Sequence, residues 1–155
     1  LALTVCSVAA LVLLVPRIDM PAVKKRLTGN VRERFSGSIL AFGGFAFFLL
    51  AINLIFAGEG TRSEISTAIA DLVIAPTWFI TGAQLFCRKP FGYALGGGML
   101  FHAAILFVAL LIYFFLQPFV AGVPFPLEDF IAIAPMAVVF FIPFGLFMRG
   151  MMKSS

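Results

Sequence analysis

The sequence predicts an all-α, polytopic transmembrane helical bundle of about five spans, and three observations carry that prediction. Of the 155 residues, 62% are hydrophobic and 12% charged, with a mean hydropathy of +1.10, whereas soluble domains sit at roughly 45–50% and 25%. The apolar residues gather into runs of about 18 to 20, several more than one soluble core of this size could hide. The cations are confined to alternate loops, the pattern of a chain threaded back and forth through a bilayer.

The first apolar run, residues 1–15, is about five residues short of a full span. It starts at Leu1 and has no basic leader, so it reads as a truncated helix and the chain as the carboxyl-terminal part of a longer protein. After it, Met20, Val23, Leu27, Val31 and Phe35 recur at three- and four-residue spacing with cations between them, which suits a short helix lying in the membrane interface. Asp19 before Pro21 can cap its start, Gly29 can end it, and Asn30 with Glu33 has the spacing of a capping box for the next helix.

Four further spans are expected at 37–57, 67–86, 93–116 and 130–148. Helices are the default because a lipid-exposed backbone must satisfy its own hydrogen bonds. In lipid, close approach of backbones drives helix association, so Gly43 and Gly44 on the first of these spans are candidate packing positions. The Gly92 and Gly96 pair, a G-x-x-x-G, is a second. The twenty Phe residues are expected on lipid-facing surface and in aromatic belts. Pro76, Pro135 and Pro143 are expected to interrupt their helices.

Arg17, Lys24, Lys25, Arg26, Arg32, Arg34, Arg88, Lys89, Arg149 and Lys153 fall on one side of this topology, and only Arg62 on the other. The positive-inside rule then puts the carboxyl terminus in the cytoplasm of a multi-pass cell-membrane protein, with Glu59, Glu64, Glu128 and Asp129 outward. The net charge of +4 therefore points to anionic lipid headgroups, met by Lys24, Lys25, Arg26, Arg88 and Lys89, and not to nucleic acid.

An ionisable group inside a span is costly and marks a candidate site. Asp71 and His102 are two such groups. Folding the spans at 37–57 and 67–86 back on each other at Arg62 puts Asn53 and Asp71 at one depth, where the amide could donate to the carboxylate. That pair reads either as a proton or cation site open to the outside, or as a hydrated interfacial Asp. His102 falls level with Pro76, which leaves the carbonyl of Leu72 without a donor. A neutral His102 could donate to that carbonyl or bond to Thr77. Cys6 and Cys87 lie at different depths and lack metal-ligand spacing. No nucleophile elbow, P-loop or zinc motif is present, and one His cannot clamp a haem from both sides. The expectation is therefore a protein without a cofactor or catalytic role. It is expected to be structural or accessory, packing against membrane protein partners, a second copy or lipid. The alternative is a small transporter or permease built around Asp71.

Asp71-Leu72 followed by Pro76, then Arg88-Lys89-Pro90-Phe91-Gly92-Tyr93, resembles the carboxyl-terminal part of a family of uncharacterised prokaryotic multispan integral membrane proteins. The likeness covers roughly residues 18–111, and it implies further helices upstream and a prokaryotic cytoplasmic membrane. It implies no substrate. The chain departs from the pattern at 63–70, which lacks the Pro and His of the family's outer loop.

Overall fold

Asp19 and Pro21 start the first of five helices that follow one another along residues 18–58 and 62–153, the part described by the computed structural model. These are α1 (Met20–Leu27), α2 (Glu33–Ala57), α3 (Arg62–Phe86), α4 (Pro90–Ala121) and α5 (Leu127–Lys153), with no strand among the described residues. Four of them, α2 to α5, are long and apolar enough to cross a membrane. The run expected at 1–15 lies outside the described residues.

The short helix α1 is built as its spacing implies. A carboxylate oxygen of Asp19 accepts from the Ala22 amide at 3.1 Å, and Leu27 turns inward to be buried. Thr28 ends the helix by donating its hydroxyl to the Lys24 carbonyl at 2.6 Å, and Gly29 follows with φ +84°. Lys25 and Arg26 stay exposed on the opposite face. The capping box, in contrast, does not form. Arg32 occupies the N-cap of α2 without a side-chain bond, Asn30 donates back to the Arg26 carbonyl at 3.2 Å, and Glu33 is drawn into the bundle.

The helices overrun the apolar runs that predicted them, because polar first turns continue a helix at no cost once they reach the headgroups. Thirty-two residues of α4 make about 48 Å at ~1.5 Å per residue, against a hydrocarbon core of ~30 Å. Gly58 and Gly122, with φ +68° and +64°, close α2 and α4 in the left-handed conformation that a helix end requires. The prolines correct one expectation: Pro76, Pro135 and Pro143 all sit inside unbroken helices. Each removes one amide, but without competing water the surrounding intrahelical bonds hold.

Packing follows two styles. Along α2 and α3 the backbones touch. A Cβ on Gly37 would lie 2.5 Å from the Phe86 nitrogen, one on Gly44 would lie 2.5 Å from the Phe79 nitrogen, and one on Gly82 would meet the Ala41 nitrogen. Between these helices and α4 and α5 the space is filled by rings. Trp78, Phe47, Phe107 and Phe140 form one cluster, with centroid separations of 5.1 Å for Phe107–Phe140 and 5.6 Å for Trp78–Phe140. Here the structure corrects a second expectation. Phe107, Phe140 and Phe147 are core residues, while Phe42, Phe56 and Phe119 keep the outward position. Aromatic residues serve both roles because lipid and core are equally apolar.

Candidate functional site

On α3, Asp71, Ala75 and Trp78 share a face at four- and three-residue spacing, and on α4, His102 and Leu106 share the face opposite. Trp78 is 2% exposed, and its indole must find an acceptor there. It donates to His102 Nδ1 at 3.3 Å, with the rings edge to face at 5.8 Å between centroids. Nδ1 as acceptor assigns the proton of a neutral ring to Nε2. The partners expected for His102 are thus replaced. Thr77 donates to the carbonyl of its own helix at Ile74, at 2.6 Å, and does not reach His102. The signal was present in the sequence, since the single Trp needed an acceptor and the single His stands on the next helix.

Asp71 is half-buried, in a crevice lined by Phe47, Ile74, Ala75, Trp78 and Leu106. It has no hydrogen-bond or ion-pair partner among the described residues. It lies three residues from the middle of α3, about 5 Å along the helix axis. Asn53 is not beside it. Gly44 faces Ala75 and Phe79, so Asn53, nine residues on, falls nearer the level of Ala68, and its side chain is exposed. The expected Asn53–Asp71 pair does not form, because the close glycine seam shifts α2 against α3 by about one turn from the register of a hairpin centred on Arg62.

Beyond His102 an open groove of about 470 Å³ runs along α4, lined by Ile105, Leu106, Ala109, Leu110 and Tyr113. Leu106 borders both this groove and the Asp71 crevice. Asp71 in its crevice, the Trp78–His102 pair and the exposed Tyr113 on the open groove of α4 therefore follow one another in a strip along the α3–α4 contact.

A second polar centre, at the basic end of the bundle, escaped the sequence reading. Glu33 is 6% exposed. One of its carboxylate oxygens accepts from the Tyr93 hydroxyl at 2.8 Å and from the Gly29 amide at 3.3 Å. The other stands 3.9 Å from the Arg88 guanidinium. Arg88 holds φ +56°, an uncommon conformation for a residue with a side chain. This one carboxylate ties the α1–α2 turn and the α3–α4 turn to the start of α4. The Gly29 bond is local, four residues apart, but only folding brings Arg88 and Tyr93 to Glu33, and no local spacing announces that.

The glycines singled out as packing positions have distinct neighbours. Gly44 faces the α3 backbone, whereas Gly43 receives the tip of the Phe140 ring. Gly92 lies against the Leu85 backbone at the α3–α4 turn, and a Cβ on Gly96 would be 3.0 Å from Leu85 Cδ2. Gly37, Gly82 and Gly150, which were not singled out, are as closely approached. Of the cations assigned to headgroups, Lys24 and Lys25 line a cleft with Pro21, Thr28 and Pro90. Lys89 is exposed beside it, Arg26 is exposed on the outer face of α1, and Arg88 is turned to Glu33.

Fold and site together define a polytopic helical membrane protein. Comparison with protein-family models, with curated proteins and with solved structures gives no match.

Proposed function

We propose that this protein is a structural or accessory component of a prokaryotic cell membrane that packs against a partner helix or a second copy through the strip between α3 and α4. Its basic end and carboxyl terminus lie in the cytoplasm, on the strength of the cation asymmetry. The observation that carries this reading is the place of the intramembrane polar groups, at the margin of the ring-packed core. The middle of the bundle is closed by Trp78, Phe47, Phe107 and Phe140, while His102 lines an open groove along α4 and Asp71 sits in the crevice next to it, the two sharing Leu106. Polar groups placed there gain their bonds from whatever helix lies alongside, which is how polar side chains hold membrane helices together. No catalytic step and no cofactor belong to this reading.

A second reading rests on Asp71 alone. A carboxylate near the middle of a span with no protein partner among the described residues is also what a proton- or cation-coupled transporter needs. Replacing Asp71 by Asn and following both assembly in mild detergent and uptake in reconstituted vesicles separates the two. The packing role predicts that a complex or homo-oligomer present in the wild type dissociates in Asp71→Asn while the protomer keeps its helicity. Unchanged assembly with abolished uptake would overturn it in favour of transport.

A further inference from the structure

The basic end carries more than a diffuse charge. Lys24 and Lys25 on α1, with Thr28, Pro21 and Pro90, line a cleft of about 580 Å³ between α1 and the start of α4. None of Lys24, Lys25 and Lys89 has an acidic partner among the described residues. The acidic groups described at this end are already engaged: Asp19 caps α1, and Glu33 accepts from Tyr93 and Gly29 and pairs with Arg88. The α4 N-terminus adds to the imbalance. Lys89 is its N-cap and provides no side-chain bond, and its first turn has no acidic residue of its own, so the positive end of the helix dipole adds to the cationic field, the nearby Glu33 being taken up by Tyr93, Gly29 and Arg88. Below the cleft, Ala94, Gly98, Phe101 and Ile105 continue the Pro90 face of α4 at helical spacing. Gly98 opens onto empty space, while Phe101 and Ile105 are about half exposed, at 53% and 51%. A cationic cleft thus stands at the head of a shallow apolar trough.

We propose that this cleft holds the phosphate of an anionic phospholipid, with Lys24 and Lys25 on its oxygens and one acyl chain lying along Ala94, Gly98, Phe101 and Ile105. Charge selects the anion, and the trough selects a lipid over a free phosphate. A phosphate set on α1 and α4 at once also fastens the interfacial helix to the first full-length turn of α4. The site rests on the membrane placement proposed above and is independent of Asp71, so failure of the Asp71 experiment leaves it standing, and the reverse.

The test is native mass spectrometry of the delipidated, detergent-solubilised chain titrated with phosphatidylglycerol, phosphatidylcholine or inorganic phosphate. Wild type, the double variant Lys24→Gln/Lys25→Gln and the control Arg149→Gln on α5 are compared. Each cation near an anionic lipid contributes about fivefold in affinity, so the double variant is expected to retain phosphatidylglycerol about 25-fold more weakly. Arg149→Gln should match wild type, and phosphatidylcholine should bind no variant preferentially. Both lysines are outside the core, and unchanged helicity and elution volume establish that the variants fold. Equal losses in the double variant and in Arg149→Gln would overturn the site in favour of diffuse surface charge. Equal binding of the two lipids would overturn it on charge. Inorganic phosphate binding as tightly as phosphatidylglycerol would overturn the lipid assignment.

Discussion

The α2–α3 seam and the α4–α5 half of the bundle solve one problem in opposite ways. In the first, Gly37, Gly44 and Gly82 let two backbones meet with nothing between them. In the second, large rings such as Phe107, Phe140 and Phe147 fill the distance between helices that stay apart. The difference matters because lipid offers no hydrophobic drive to bring helices together, leaving only the quality of contact. Backbone contact is rigid and leaves no space, whereas ring packing leaves grooves at its margins. One of these, about 430 Å³ between Ser38, Phe42 and Ala46 of α2 and Pro135 and Val139 of α5, opens where the Phe140 ring ends against Gly43. The polar strip with Asp71 lies on the margin of the ring-packed half as well. The open grooves therefore belong to the side of the molecule built from side chains.

Three substitutions and one control sharpen this contrast. The largest effect is expected at Gly82→Leu, where a side chain must enter the space held by the Ala41 and Gly37 backbone. Because no rotamer change can relieve that, we expect a loss of about 3 kcal/mol or more in unfolding from mixed micelles. Gly98→Leu, facing open space, should leave stability unchanged. If the two variants behaved alike, backbone contact would not be what holds α2 to α3. Next comes Phe140→Ala, which removes the ring shared by Trp78, Phe107 and Gly43. In an aqueous core such a truncation costs about 3–5 kcal/mol, part of it transfer from water. With lipid as the alternative environment that part falls away, and we expect about 2 kcal/mol by the same micellar unfolding. The smallest loss belongs to Trp78→Phe, which keeps a ring and removes the donor to His102. Interhelical hydrogen bonds in membranes average about 0.6 kcal/mol, and a loss larger than that of Phe140→Ala, read by loss of helicity, would make the Trp78–His102 bond a main support of the α3–α4 pair.

Hydropathy and cation placement were enough to read the four long helices, and the periodicity from Met20 to Phe35 was enough for α1, down to the Asp19 cap. Their ends were not legible, since the apolar runs stop where lipid stops while the helices continue into polar turns at Glu33 and Lys153. Gly44 and Gly92 could be picked out as notches, yet Gly43 sits one residue away and meets a ring instead of a backbone. Which face a notch presents depends on the rotation of the whole helix. Asp71 and His102 could be recognised as costly, because their cost depends only on depth. Their partners could not. The Asn53–Asp71 pairing assumed a symmetric hairpin, and a shift of about one turn between α2 and α3 undid it. The same holds for Glu33, which sequence spacing assigned to a local cap and the fold assigned to Tyr93 and Arg88.

What the sequence by itself determined is the type and place of the four long apolar helices among the described residues and the end of the bundle that carries the charge. Both follow from the free energy of moving residues between water and lipid, a property of each segment alone. Only the tertiary structure decided which rings became core, which carboxylate was satisfied and which was left without a partner among the described residues. In a uniformly apolar chain, core and lipid-facing surface have the same composition, and helix rotation and register, set by contact between distant segments, are what tell them apart.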